Sequence, residues 1–199
     1  MKRVGLIALL LVVFVAVAWL IIFGIPSSNP VVVVDTSMGT IKIELYQDRA
    51  PISVANFLKY VDDRFYDGTI FHRVISDFMI QGGGFDSAGI RKGREKPTFA
   101  PIKNESTNLI ANNRGTVAMA RTEDPNSATA QFFINTKDNS FLNKANAADR
   151  VGYAVFGRVI EGMDVVDKIR NVETLPRGPL KDAPLNDVVI KSIRRATNE

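Results

Sequence analysis

Val31-Val32-Val33-Val34-Asp35-Thr36-Ser37-Met38-Gly39-Thr40-Ile41-Lys42-Ile43-Glu44-Leu45 decides the fold class, because it reads as a β-hairpin. Its first limb is β-branched. In its second limb Ile41, Ile43 and Leu45 alternate with Lys42 and Glu44, the period of a strand with one dry and one wet face. Ser37-Met38-Gly39 supplies the turn. Downstream, Asp48-Arg49-Ala50-Pro51 opens a helix, since proline is tolerated in a first turn. Val54, Phe57, Leu58 and Val61 then make one apolar stripe at i, i+3, i+4 and i+7. Further strand-like runs occupy 69–75, 79–81, 115–120, 131–135, 155–159 and 188–194, punctuated by Gly, Asn, Asp and Pro. A second helix is predicted over 163–170, with Val165, Val166 and Ile169 facing inward. About eight short strands with only two helices predict a mainly β chain, a closed barrel capped by helices. A parallel sheet would need helices between successive strands, and the pattern lacks them.

Upstream of the hairpin the chain reads as an address. Met1-Lys2-Arg3 precedes an uncharged apolar run, 4–25, which as a helix would be roughly 33 Å long, enough to cross a hydrocarbon core. Ala16-Val17-Ala18 resembles a cleavage site, but Trp19, Leu20, Ile21, Ile22 and Phe23 prolong the run past an ordinary signal core. Residues 1–25 are therefore expected to be one N-terminal transmembrane signal-anchor helix, held in the membrane through 4–25. The alternative is a cleaved signal that leaves a soluble secreted or periplasmic domain. Lys2 and Arg3 should stay cytoplasmic, which puts the rest on the non-cytoplasmic (periplasmic or extracytoplasmic) side. Pro26-Ser27-Ser28-Asn29-Pro30 ends the helix, giving a linker over 26–30, a domain over 31–195 and a tail over 196–199.

Composition excludes several chemistries. At 46% hydrophobic and 23% charged, the 199-residue chain is ordinary globular material. The net charge of +4, half of it from Lys2 and Arg3, is too weak to argue for a nucleic-acid partner. Arg91, Lys92, Arg94 and Lys96 crowd one stretch, but with no aromatics between them they read as a solvated loop. Cysteine is absent, so disulfides, thiolate nucleophiles and sulfur-ligated zinc are excluded together. His72 is the only histidine, and no metal or cofactor is expected. Gly82-Gly83-Gly84 is not followed by Gly-Lys-Ser/Thr and opens no helix, so it reads as a tight strand exit, not a phosphate loop.

Phe71-His72-Arg73-Val74-Ile75-Ser76-Asp77-Phe78-Met79-Ile80-Gln81-Gly82-Gly83-Gly84 resembles the signature segment of the cyclophilins. Gly115-Thr116-Val117-Ala118-Met119-Ala120-Arg121, followed by Ser127-Ala128-Thr129-Ala130-Gln131-Phe132-Phe133-Ile134, is similar to that family's second pocket segment. Phe141-Leu142 with Tyr153-Ala154-Val155-Phe156-Gly157-Arg158-Val159 makes a third match, in the family's order. The resemblance implies an eight-stranded antiparallel barrel with two capping α-helices and a peptidyl-prolyl cis/trans isomerase whose partners are Pro-containing flexible polypeptides. It implies Arg73 as the catalytic arginine and Gln81 as a polar catalytic group beside the peptide backbone, a position Gln131 shares. Phe78, Met79, Phe133 and Leu142 match the wall that receives a proline ring, and Ala120 with Arg121 matches the segment along which substrate lies. Phe141 and Tyr153 fall at the pocket rim, where many eukaryotic members carry Trp and His, so weak cyclosporin binding is expected.

These residue types suit the reaction. Turning an X–Pro bond breaks no covalent bond, so it needs no nucleophile, only a site that fits the twisted amide better than either planar form. Twisting returns a lone pair to the proline nitrogen, and a fixed guanidinium can donate to it in that state alone. An apolar wall grips the ring and excludes water. The expected role is assisting the folding of exported or membrane proteins; the alternative is a chaperone or scaffold that holds Pro-containing segments with incidental turnover.

Overall fold

The computed structural model describes residues 29–178 and 180–197. β1 (Val31–Thr36) and β2 (Gly39–Leu45) form the expected hairpin, with Val31 opposite Glu44 and Thr36 opposite Gly39. The Thr36 hydroxyl donates to the Gly39 carbonyl (2.6 Å) and accepts from the Met38 amide (3.0 Å), which pins the turn. The chain continues through α1 (Pro51–Asp62), β3 (Thr69–Ile75), β4 (Met79–Asp86) and a short α2 (Ser87–Lys92). It then forms β5 (Thr116–Met119), β6 (Phe132–Asn135), β7 (Val155–Glu161), α3 (Met163–Arg170), β8 (Thr174–Arg177), β9 (Leu180–Pro184) and β10 (Val189–Arg195). Eight strands close in the order β1-β10-β3-β4-β6-β5-β7-β2, each neighbour antiparallel, and β8 pairs with β9 in a separate hairpin. Closure leaves these eight strands without a free edge.

Alternation decides what fills the barrel. Val32, Val34, Ile41, Ile43, Phe71, Val74, Ile80, Val117, Phe132 and Ile134 point inward into one buried cluster. The predicted stripe of α1 joins that cluster, and Phe57 lies 5.2–5.4 Å from the rings of Tyr66, Phe132 and Phe156. The buried Tyr66 hydroxyl is satisfied by the Ala130 carbonyl at 2.9 Å. From α3, Val165, Val166 and Ile169 enter the same core, as the sequence predicts. The two expected capping helices are thus α1 and α3.

The structure departs from the sequence reading in three places. First, β8–β9 is an additional hairpin; its strands contain Pro176 and Pro184, which read as loop punctuation because proline cannot donate to a ladder. Second, α2 turns part of the basic stretch into a helix, with the Asp86 carboxylate accepting the Gly89 amide at 2.5 Å and Gly93 closing it at φ +63°. Lys96 in that stretch donates to the Phe65 carbonyl and lies 4.4 Å from the centre of the Phe65 ring, so it is anchored, not free. Third, Gly82-Gly83-Gly84 is no strand exit: all three lie within β4. The expected transmembrane helix over 4–25 lies outside the described residues, and among the described residues no helix is long and apolar enough to cross a membrane.

Candidate active site

Two irregularities in the β3–β4 pairing build the site. Phe71 faces Gly82 and Arg73 faces Gln81, so two steps on β3 match one on β4, a bulge at His72. Simple alternation would put Arg73 on the same side as Phe71, inside the barrel. The bulge resets the phase: Phe71 and Val74 both enter the core, and Arg73 turns outward, half-exposed. On β4 four steps from Gly82 to Asp86 match two on β3, and Gly83 takes up the slack at φ +84°, a region that favours glycine. A side chain at Gly83 would also come within 2.8 Å of the Tyr66 ring.

With the phase reset, one row of cross-strand partners runs over the outer face: Arg73 opposite Gln81, Gln81 opposite Phe133, Phe133 opposite Ala118. Met79, Ala118, Phe133, Leu142 and Val155 form a second buried apolar cluster under this face. Arg73, Phe78, Met79, Gln81, Ala120, Arg121, Phe133, Phe141, Leu142 and Tyr153 line one cleft of about 280 Å³ above it. Every site residue expected from the sequence except Gln131 is therefore in one cleft. Gln131 borders an adjoining cleft of about 270 Å³ and is tied to the first by a 2.8 Å bond from Gln81 Nε2 to Gln131 Oε1.

Arg73 stands at the edge of the apolar wall, its guanidinium carbon 5.8 Å from the centre of the Phe78 ring. Asp182 of β9 is 3.7 Å from Arg73 Nε, a partner that nothing in the sequence announced because β8–β9 itself was not legible. Arg121 is different from expectation in one respect. Its side chain is only 3% exposed, stacks 4.4 Å from the Tyr153 ring centre, and is held by Asp149 and by the carbonyls of Gly152 and Thr122. Its guanidinium is thus a clamp between the segment after β5 and the 149–153 loop, not a free cation for substrate. The Asp149 carboxyl is held down to about 2, first by the amides of Gly152 and Val151 (2.9 Å each) and then by Arg121.

The rim is fastened from behind by asparagines. Asn139 Nδ2 donates to the Phe78 carbonyl and to Asn135 Oδ1, both at 2.7 Å, while Asn135 Nδ2 reaches Thr116 Oγ1 at 2.9 Å. The Leu142 amide bonds the Asn139 carbonyl and the Tyr153 amide bonds the Leu142 carbonyl, so Phe78, Leu142 and Tyr153 hang on one buried network.

A profile of the family described as "Cyclophilin type peptidyl-prolyl cis-trans isomerase/CLD" matches residues 31–195. The chain belongs to the cyclophilin family. A peptidyl-prolyl cis-trans isomerase of Acinetobacter baylyi is 57% identical to this cyclophilin over 167 residues, covering 84% of this chain and 86% of the relative. Peptidyl-prolyl cis-trans isomerase B of Escherichia coli is 52% identical over 159 residues, covering 79% and 94%. Among solved structures, a cyclophilin type peptidyl-prolyl cis-trans isomerase of Cryptosporidium parvum superposes with a TM-score of 0.69 at 26% identity, covering 86% of this chain and 99% of that one. A second structure of that protein, in the presence of the dipeptide Ala-Pro, gives a TM-score of 0.68 at 26% identity, covering 84% and 99%.

In this cyclophilin His72 is buried at the cleft that Gln131 borders, and its Nδ1 has no hydrogen-bond partner among the described residues. Its ring is 2% exposed and 4.8 Å from Phe85, and burial pushes it down to about 4, with Arg73 adding to the depression and the Ile70 carbonyl and Gln131 partly opposing it. A folded-state value below the unfolded one means that stability is complete above about pH 6.5 and declines as pH falls to about 4, by roughly 3 kcal/mol at most. Thermal melts between pH 7 and 4 should show this loss, and His72→Gln should flatten the curve over that window; an unchanged slope would contradict the assignment.

Gly84 supports the glutamine pair. A Cβ there would come within 2.7 Å of Gln131 Cγ, Cδ and Nε2, and the flexible side chain is what gives way. Gly84→Ala is expected to leave the melting temperature within a few degrees, break the Gln81–Gln131 bond, and lower kcat/KM about tenfold, or ~1.4 kcal/mol. Full activity in Gly84→Ala would mean that the pair does not orient Gln81.

Proposed function

We propose that this cyclophilin turns X–Pro bonds in the cleft between Arg73 and Phe133, acting on exported or membrane-inserted polypeptides. The observation that carries the catalytic reading is the row Arg73–Gln81–Phe133, in which a guanidinium, an amide and an aromatic wall share one face of three adjacent strands. The proline ring rests on Phe133 between Met79 and Leu142, residues buried to within a few per cent, so the reacting amide sits against a dry surface. Gln81, steadied by Gln131, holds the carbonyl that precedes the proline. As the bond turns, the proline nitrogen pyramidalises, and Arg73 donates to its returning lone pair. Both planar forms lack that acceptor, so the bond lowers the barrier without deepening the ground state. Phe141, with no ring N–H donor, leaves cyclosporin binding weak.

The test is NMR exchange on an Ala-Pro-containing peptide with the full chain in mild detergent. Exchange cross-peaks between cis and trans should appear on a timescale of seconds or less, against tens to hundreds of seconds uncatalysed. Their absence at saturating enzyme would contradict the reading.

The proposed location rests on the apolar run 4–25 and on the basic pair Lys2 and Arg3 before it. An apolar helix holds a protein in a bilayer regardless of charge. Carbonate or high-salt washing is therefore expected to leave the protein in the membrane pellet, and protease added to spheroplasts should reach the domain. A soluble, N-terminally trimmed form would favour the cleaved-signal alternative.

A further inference from the structure

Arg121 is a wall shared by three clefts. The cleft of about 270 Å³ carries Gln81 and Gln131, so it lies on the side of the carbonyl that precedes the proline. The third, a groove of about 680 Å³, touches neither Arg73 nor Gln81. It joins the proline pocket only through Arg121, Phe141, Leu142 and Tyr153. With Gln81 on the carbonyl before the proline, as proposed above, the groove beyond Phe141 is the adjoining cleft left for the residues after the proline.

The groove's chemistry is built by the 147–149 segment. Ala147 and Ala148 are small and leave the groove open, and Phe141, 54% exposed although its ring lies 5.4 Å from that of Phe78, adds apolar surface to its lining. Of the charges that line it, Arg121 and Asp149 neutralise each other, leaving the exposed Glu123. An acidic side chain would meet that carboxylate, and a small one would bury little.

We infer that this groove is a subsite for the residue following the proline and that it selects a large apolar side chain. The inference rests on the isomerase reading above, and it is argued from continuity with that pocket.

The test uses the full chain in detergent and peptides Ala-Ala-Pro-Yaa-Ala with Yaa as Phe, Gly or Glu, measured by NMR exchange. The Phe peptide should exceed the Gly peptide in kcat/KM by about fivefold or more, chiefly through KM, with the Glu peptide lowest. Ala148 is exposed, so Ala148→Trp fills the groove without entering the core, and it should bring the Phe-to-Gly ratio down to about one. Ala147→Leu serves the same purpose if the first variant melts early. Changing the residue before the proline should give ratios that neither variant alters. A wild-type ratio near one, or a preference that survives both variants, overturns the subsite while leaving the isomerase intact. No exchange with any peptide overturns the isomerase reading instead.

Discussion

Arg73→Ala is expected to lower kcat/KM by about two to three orders of magnitude, the loss typical of removing one donor aimed at charge that develops in a transition state. Folding should survive, because Arg73 sits outside the core and its ionic partner Asp182 is 3.7 Å away and half-exposed, a pairing of little worth. Lysine in its place is not a conservative change. It keeps the charge but loses the planar fork that β3 directs over the cleft, so Arg73→Lys should recover only a small part of the activity. A coupled or NMR exchange assay with melting temperatures taken alongside decides it: near-normal turnover in a folded Arg73→Ala protein would remove Arg73 from the mechanism.

Phe133→Ala should be the most damaging substitution in the apolar wall. The side chain is 4% exposed and packs with Met79, Ala118, Leu142 and Val155, and its ring is 5.7 Å from that of Tyr153. Truncation removes contacts and leaves a hollow, which typically costs about 3–5 kcal/mol of stability. On the reading proposed above the proline ring rests against Phe133, so KM should rise about tenfold or more in whatever fraction remains folded. Phe133→Leu separates the two effects, since it restores much of the volume and should recover stability before it recovers binding. Denaturant midpoints and kcat/KM, measured on both variants, check this; a stable Phe133→Ala enzyme with unchanged KM would place the ring elsewhere.

How far the sequence reached depends on what kind of signal each feature leaves. The β1–β2 hairpin and the stripe of Val54, Phe57, Leu58 and Val61 were legible because period two and period 3.6 are properties of neighbouring residues. The outward turn of Arg73 was not, since alternation along β3 predicts the opposite and the bulge at His72 depends on its pairing with β4. The same pairing explains the glycines, which as a string looked like an exit and in the sheet absorb two surplus residues. Roles for the cleft residues came with the family resemblance, not from spacing. Asp149 and Asp182 left no trace, because each is a single carboxylate whose partner is distant in the chain; Asp149 and Arg121 are 28 residues apart. The clamped state of Arg121 was invisible for the same reason.

One guanidinium bonding one nitrogen, only midway through rotation, is the centre of the mechanism proposed above. The direct measurement is NMR exchange on an Ala-Pro-containing peptide titrated into the wild-type chain and Arg73→Ala, so that peptide affinity and the exchange rate of bound peptide are read separately. The predicted result is an affinity unchanged within about threefold and a bound-state exchange rate reduced by about a hundredfold or more. Weakened affinity with an unchanged exchange rate for the bound peptide would contradict it, and would make Arg73 a group that merely holds the substrate.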